Sequence, residues 1–393
     1  MAARQVWITG VGLISALGEG RDAHLAALAD PGAVAAARDS ASFAPFHVHP
    51  IRHLDLERFM PRRGDQRAMG PWMQYGVHAS GLALAEAGVL GDAALLGRTH
   101  LLAAAAGGER DLALDEEILA GLAGRERPEA YINTRLTEGL RPTAFLAQLS
   151  NMFAGNVSIV LGVAGSSRTF MGEEAAGVEI VRVAWRRIAA GQGDLFLVTA
   201  SYNAARADML LLHQTGGRLL AGPWRGLWDR PAGGMTLGSV GVALVLEAAD
   251  HARARGARPI ARLAGVAHGW SDRRPGAASR AAAAQWDLPA GVPTLVLSGA
   301  SGAGPVTAEE HAFLAGRAEG LAVRGTAAAL GHPVEAAFPA NLGLAAWCVD
   351  AGIAFPPLAT DPIESVGSAA PRRAVVTGWG VRRGEGLGVL EAP

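Results

Sequence analysis

Between Gly172 and Ser201 the spacing of apolar and polar positions changes twice, and each change predicts an element. Gly172, Glu173 and Glu174 open the stretch. Acidic side chains suit the first turn of a helix, where free N–H groups and the macrodipole favour negative charge. Ala175, Val178, Val181, Trp185 and Ile188 then recur at three- and four-residue spacing, as on one helix face, while Arg182, Arg186 and Arg187 fall largely on other faces. Gly191 and Gly193 predict the stop, and Leu195–Val198 predicts a short buried strand. The same reading predicts a strand with a Gly-rich turn over 5–20, an amphipathic helix over 73–89 and a strand over 101–107. Further on it predicts a strand ending at Glu247, a helix and strand over 251–266, and a strand and turn over 294–302. Residues 108–140 are charged and poorly patterned.

Composition narrows the function classes. The chain has 393 residues, half of them hydrophobic, which is enough for a large core. A formal net charge of −1 gives no reason to expect nucleic acid or an anionic membrane as a partner. All 35 basic residues are arginine, so no side chain can form a lysine Schiff base or serve as a P-loop lysine. A single cysteine, Cys348, excludes an intrachain disulfide and reads as a small core residue in a helix. The opening MAARQVWITG runs straight into a strand-like segment without a secretory apolar region, and no apolar run is long enough to span a bilayer, so a cytoplasmic protein is expected. His47, His49 and His53 could bind a metal, but no acid or thiol completes a set, so they read as surface histidines and neither metal nor cofactor is expected. The glycines of Thr9-Gly-Val-Gly12 lack a third glycine at the dinucleotide-binding offset.

Identity comes from fixed spacings. The stretch NMFAGNVSIVLGVAG, residues 151–165, resembles the approach to the active-site elbow of β-ketoacyl-acyl-carrier-protein synthases. Counting on without a gap, the family's nucleophilic cysteine falls on Glu174, and its glycine three residues later is Gly177. Residues 227–247, LWDRPAGGMTLGSVGVALVLE, resemble the family's Phe-Asp-x-x-Arg-x-Gly-Phe segment, with Asp229, Gly234 and Gly238 kept, Ala232 for the arginine and Met235 for the phenylalanine. At 294–302 the family's catalytic histidine corresponds to Ala300. At 325–338, GTAAALGHPVEAAF retains His332, but Ala327 replaces the family lysine. In RAVVTGWGVRRG, 373–384, the family's pocket-gating Phe-Gly-Phe-Gly-Gly turn becomes Trp379, Gly380, Val381, Arg382 and Arg383.

The resemblance implies an α/β, thiolase-like five-layered αβαβα sandwich of two similar halves, 1–250 with cap insertions and 251–393. It also implies chemistry that this chain lacks. Condensation needs a thiolate, two imidazoles and an oxyanion hole, whereas here Glu174, Ala300 and Ala327 stand in three of the reactive places and only His332 survives. A carboxylate is a poor nucleophile toward thioesters, because the anhydride formed is itself highly activated. Glu174 reads as a plain helix-N-terminal acid, as a blocking charge paired with an arginine such as Arg382, or as a catalytic carboxylate acting with His332. The expected function is a non-elongating subunit similar to the chain-length factors of type II polyketide and aryl-polyene systems, paired with an active ketosynthase and working with an acyl carrier protein. The alternatives are a thioester hydrolase or decarboxylase using Glu174 and His332, and an inert homodimeric carrier-binding scaffold. The resemblance assigns subunit pairing to the strand Asp194–Ser201.

Overall fold

The computed structural model describes residues 3–140, 144–271, 274–289, 291–317, 319–364 and 369–393. The main strands of the first half are β1 (Val6–Ser15), β2 (His100–Ala104), β3 (Ser167–Phe170), β4 (Leu195–Tyr202) and β5 (Val240–Ala248). Those of the second are β6 (Ala261–Gly269), β7 (Thr294–Ser298), β8 (Leu321–Gly325), β9 (Arg373–Trp379) and β10 (Glu385–Glu391). The first set lies in the order β3-β2-β4-β5-β1 and the second in the order β8-β7-β9-β10-β6, so one topology is written twice. In each set the fifth strand runs antiparallel to both neighbours. The sets join edge to edge where Val6–Ile8 pairs with Ala261–Leu263.

Alternation along each strand explains the layers. Leu101 and Ala103 face one core with Leu197 and Val245, and helices α1 (Pro71–Glu86) and α2 (Met152–Leu161) cover it through Met73, Val77 and Phe153. Leu102 and Ala104 face the opposite way, into a central core shared with Leu295 and Leu297 of β7. There α3 (Glu174–Ala189) and α6 (Ala337–Ala351) contribute Val178, Val181, Phe338 and Leu342. Val296, Val323 and Val375 point outward in the second half, beneath α4 (Ala277–Ala283) and α5 (Gly304–Ala315). The result is helix, sheet, helix, sheet, helix, the expected thiolase-like sandwich. Strands buried on both faces read as continuous apolar runs, as at 195–198.

Three local expectations change. Helix α1 is buried on nearly every face rather than one, because the Phe59–Met60 segment packs on it with the sheet behind. Strand β4 is not an edge: it pairs with β2 on one side and β5 on the other, so it cannot extend the sheet into a partner. The outer strand of that half is β3, which among the described residues pairs only with β2 and is exposed at Ser167 and Arg168. His47 and His49 are not surface residues: they are 6% and 0% exposed, and no group of three or more possible metal ligands occurs among the described residues. The Gly10 and Gly12 pair serves packing, since a Cβ there would lie 2.2 and 1.9 Å from the carbonyl oxygens of Ala83 and Ala79 on α1. Cys348 lies buried in α6.

Candidate active site

Helix α3 ends its approach from β3 in a sharp turn. Gly172 takes φ +148°, and Glu173 is held at φ +56°, ψ −141°, a region that side-chain-bearing residues rarely adopt. The turn places Glu174 at the first position of α3, 8% exposed. Its Oε1 lies 3.0 Å from Nε2 of His332. The backbone N–H groups of Glu174 itself and of Val381 lie near enough to the carboxylate to favour its charged form. Burial alone would raise this carboxyl, but the His332 hydrogen bond and charge and the two backbone donors outweigh it and hold the group below the usual carboxylate range. The positive end of α3 acts in the same direction.

The remaining positions are fixed from other elements. His332 is 1% exposed, and its backbone is tied to Thr236 and Gly238 beside the buried Met235. Trp379 ends β9 and is 1% exposed, packed against Phe313, so its ring belongs to the core. Gly380 lies against Glu174: a Cβ on it would come 3.3 Å from the carboxylate and 2.3 Å from the Arg383 carbonyl. Arg382 does not pair with Glu174 as its charge suggests. It faces Glu173, Nε to Oε1 3.5 Å, with the arginine exposed and the glutamate half-buried. Arg383 lies over the ring of Trp270.

Ala300 and Ala327 come together in a small apolar cluster with Leu227 and Ala328. The cavity beside them measures about 10 Å³, room for about one water. The backbone around them is nevertheless held by polar contacts. Ser298 Oγ accepts from the Ala300 N–H at 3.1 Å and donates to Glu310 at 2.8 Å, while Thr326 and the Ser298 carbonyl bind Asn341. Burial pushes Glu310 up to about 7 despite donation from Thr377 and Ser298.

Sequence reasoning missed two features. The N–H groups of Glu174 and Val381 carry no side-chain signature. Glu335, three residues beyond His332, is also buried, and burial pushes its carboxyl up to about 8, reinforced by the charges of Glu174 and Glu173. Among the described residues its Oε2 has no hydrogen-bond partner. An acid three residues from His332 was the available signal. Chemically, the centre holds one carboxylate bonded to an imidazole, with a second carboxyl nearby whose pKa burial raises to about 8. It can hold or exchange a proton between Glu174 and His332, but it offers no thiolate.

A family model described as beta-ketoacyl synthase, N-terminal domain, matches residues 3–252. Two 3-oxoacyl-[acyl-carrier-protein] synthase 2 proteins, from Vibrio cholerae and Vibrio harveyi, are 26% and 27% identical over 282 residues. Those alignments take in 67% of this chain and 63% of each relative, so just under two thirds of the relatives' length is spanned. Among solved structures, the ishigamide ketosynthase/chain length factor superposes with a TM-score of 0.80 at 20% identity over the whole of both chains. A β-ketoacyl synthase from Burkholderia phymatum gives 0.79 at 19%, over 99% of this chain and all of that one. A type II polyketide ketosynthase, solved with its acyl-carrier protein, gives 0.76 at 18% over the whole of both.

Proposed function

The chain belongs to the β-ketoacyl synthase family, and from that premise we propose that it is a non-elongating subunit that pairs with an active ketosynthase and shapes its acyl tunnel. One observation carries the reading. At the nucleophile position a carboxylate is tied down by His332 at 3.0 Å, with the backbone N–H groups of Glu174 and Val381 close enough to favour its charge. The loss of the second imidazole and the lysine at Ala300 and Ala327 supports it, because their places are packed rather than open. Removing one charge-stabilising donor costs about 10²–10³ in rate, and here several groups are missing together. The product class is a fatty-acid or polyketide chain, with aryl-polyene chains within that range, carried on an acyl carrier protein in the cytoplasm.

Pairing is assigned to the outer strand β3, whose free edge can continue a sheet into a partner. The division into halves at 250/251 belongs to the same proposal, and the repeated strand order supports it. The test is co-expression with a cysteine-bearing ketosynthase, followed by native mass spectrometry and a condensation assay. A one-to-one complex should elongate acyl-carrier thioesters, the single chain should not, and Thr169→Pro in β3 should abolish the complex while leaving the monomer folded. Elongation by the purified chain alone refutes the reading.

The Glu174–His332 contact also favours a second reading, thioester hydrolysis or decarboxylation with Glu174 as base. Under it, Glu174→Gln removes a measurable turnover of acyl or malonyl thioesters. An unchanged background rate eliminates it.

A further inference from the structure

We propose that the apolar cavity between the helix Pro31–Ala36 and the 356–358 segment binds a small monocarboxylic acid, with the carboxylate on Arg38 and the alkyl or aryl tail inside. The cavity measures about 160 Å³ and shares no lining residue with the space beside Ala300 and Ala327. The site stands by itself and does not require a ketosynthase partner.

The walls select the tail. Leu28 and Val34 line the cavity with Pro357, Leu358 and Trp224, so its interior favours hydrocarbon or an aromatic ring. Both sides are braced. The Leu358 N–H donates to Glu364 Oε2 at 2.7 Å, and Glu364 Oε1 accepts from Trp228 Nε1 at 2.8 Å and from the Gly325 N–H at 2.9 Å. Across the cavity Asp30 caps its helix by accepting from the Gly32 N–H at 2.8 Å. A ligand therefore meets a formed slot. Its volume is below the roughly 300–1,000 Å³ of sites for drug-sized molecules, so the ligand is small.

The charge selects the head group. Arg38 is the one charged side chain among the described lining residues. Its guanidinium stacks on Trp224, 3.8 Å from the ring centre, and its Nε donates to Ser40 Oγ at 3.3 Å. Neither partner is charged, and burial lowers Arg38 below the ordinary arginine range with no acid acting against it. Asp39, the next residue, is turned onto the Ala41 and Ser42 N–H groups at 2.9 and 3.0 Å. Arg230 lies 5.3 Å from the same indole ring and adds to the positive field. Stacking fixes the guanidinium plane, and both Nη groups are left without a hydrogen bond to any described residue. Two parallel N–H donors in one plane match the two oxygens of a carboxylate. A phosphate would call for further donors, which apolar walls do not supply.

The test titrates the full chain with hexanoate and with benzoate, read by calorimetry and ligand-observed NMR, with hexanamide and benzamide as uncharged controls. Wild type should bind one equivalent of acid saturably and the amides far more weakly. The tighter of the two acids identifies the tail as alkyl or aryl. Arg38→Met keeps the stem and removes the charge, and it should weaken binding about tenfold to a hundredfold, the worth of a charge-assisted hydrogen bond. Ala35→Trp, at an exposed lining position, should obstruct the cavity and weaken binding while circular dichroism stays unchanged. Absence of saturable acid binding by wild type, equal binding of acid and amide, or wild-type affinity in either variant overturns the proposal.

Discussion

Replacing Glu335 with glutamine tests whether a neutral acid is buried beside an ionised one. The carboxyl is pushed from 4.5 to about 8, first by burial and then by the charges of Glu174 and Glu173. A folded-state value above the unfolded one means that the associated stability is complete below pH 4.5 and is lost as pH rises through about 8. In that window each pH unit costs about 1.4 kcal/mol. Between pH 6 and 8 the wild type should therefore lose about 2 kcal/mol, allowing for the levelling near the folded pKa. Glutamine matches the neutral acid in shape and does not titrate, so the variant escapes this loss. Glu310, raised to about 7, acts with the same sign in both proteins and cancels. The buried His24, His49 and His213, pushed down to about 4, 3 and 4 by burial, act in the opposite direction below pH 6.5 and also cancel. Urea melts followed by tryptophan fluorescence at pH 6 and 8 give the double difference. A stability gap between variant and wild type that stays constant across the two pH values refutes the buried neutral acid.

Three further outcomes follow from the same geometry. Gly177→Ala puts a Cβ 2.2 Å from the Glu335 carbonyl and should cost about 1–3 kcal/mol in the same melts. Glu173→Gly relieves the φ +56° strain and should stabilise by about 1 kcal/mol or more, because its exposed contact with Arg382 is worth little. His332→Ala leaves the Glu174 carboxylate buried without its imidazole and should cost about 3–5 kcal/mol at neutral pH. Glu174 sits below its ordinary pKa, so the stability it supplies is present above pH 4.5 and fades as pH falls through the lower folded value. Acid titration of the His332→Ala variant should show that fade diminished.

The parts legible in the sequence were those written by periodicity and spacing. Helix α3 was predicted from its apolar stripe and appears as Glu174–Ala189, with β4 after the glycine stop. The contact between Glu174 and His332 joins residues 158 positions apart and rested on the resemblance alone. Periodicity cannot rank strands within a sheet, because an interior strand and a two-face-buried edge strand read alike; that is why β4 was assigned a pairing role its neighbours exclude. Charge alone likewise matched Arg382 to the wrong acid. Two adjacent glutamates look equivalent in sequence, and only the turn at Glu173 sends one outward to the arginine and the other inward to the imidazole.

The alanine pair at 300 and 327 also limits the ways in which this lineage can change. Open space beside these residues would admit a larger side chain by one substitution. Instead the site has closed over them, leaving about 10 Å³ beside two methyl groups. An imidazole or lysine side chain placed at 300 or 327 would overpack the cluster. On the proposed non-elongating reading, this packing makes a condensing centre harder to rebuild than to lose.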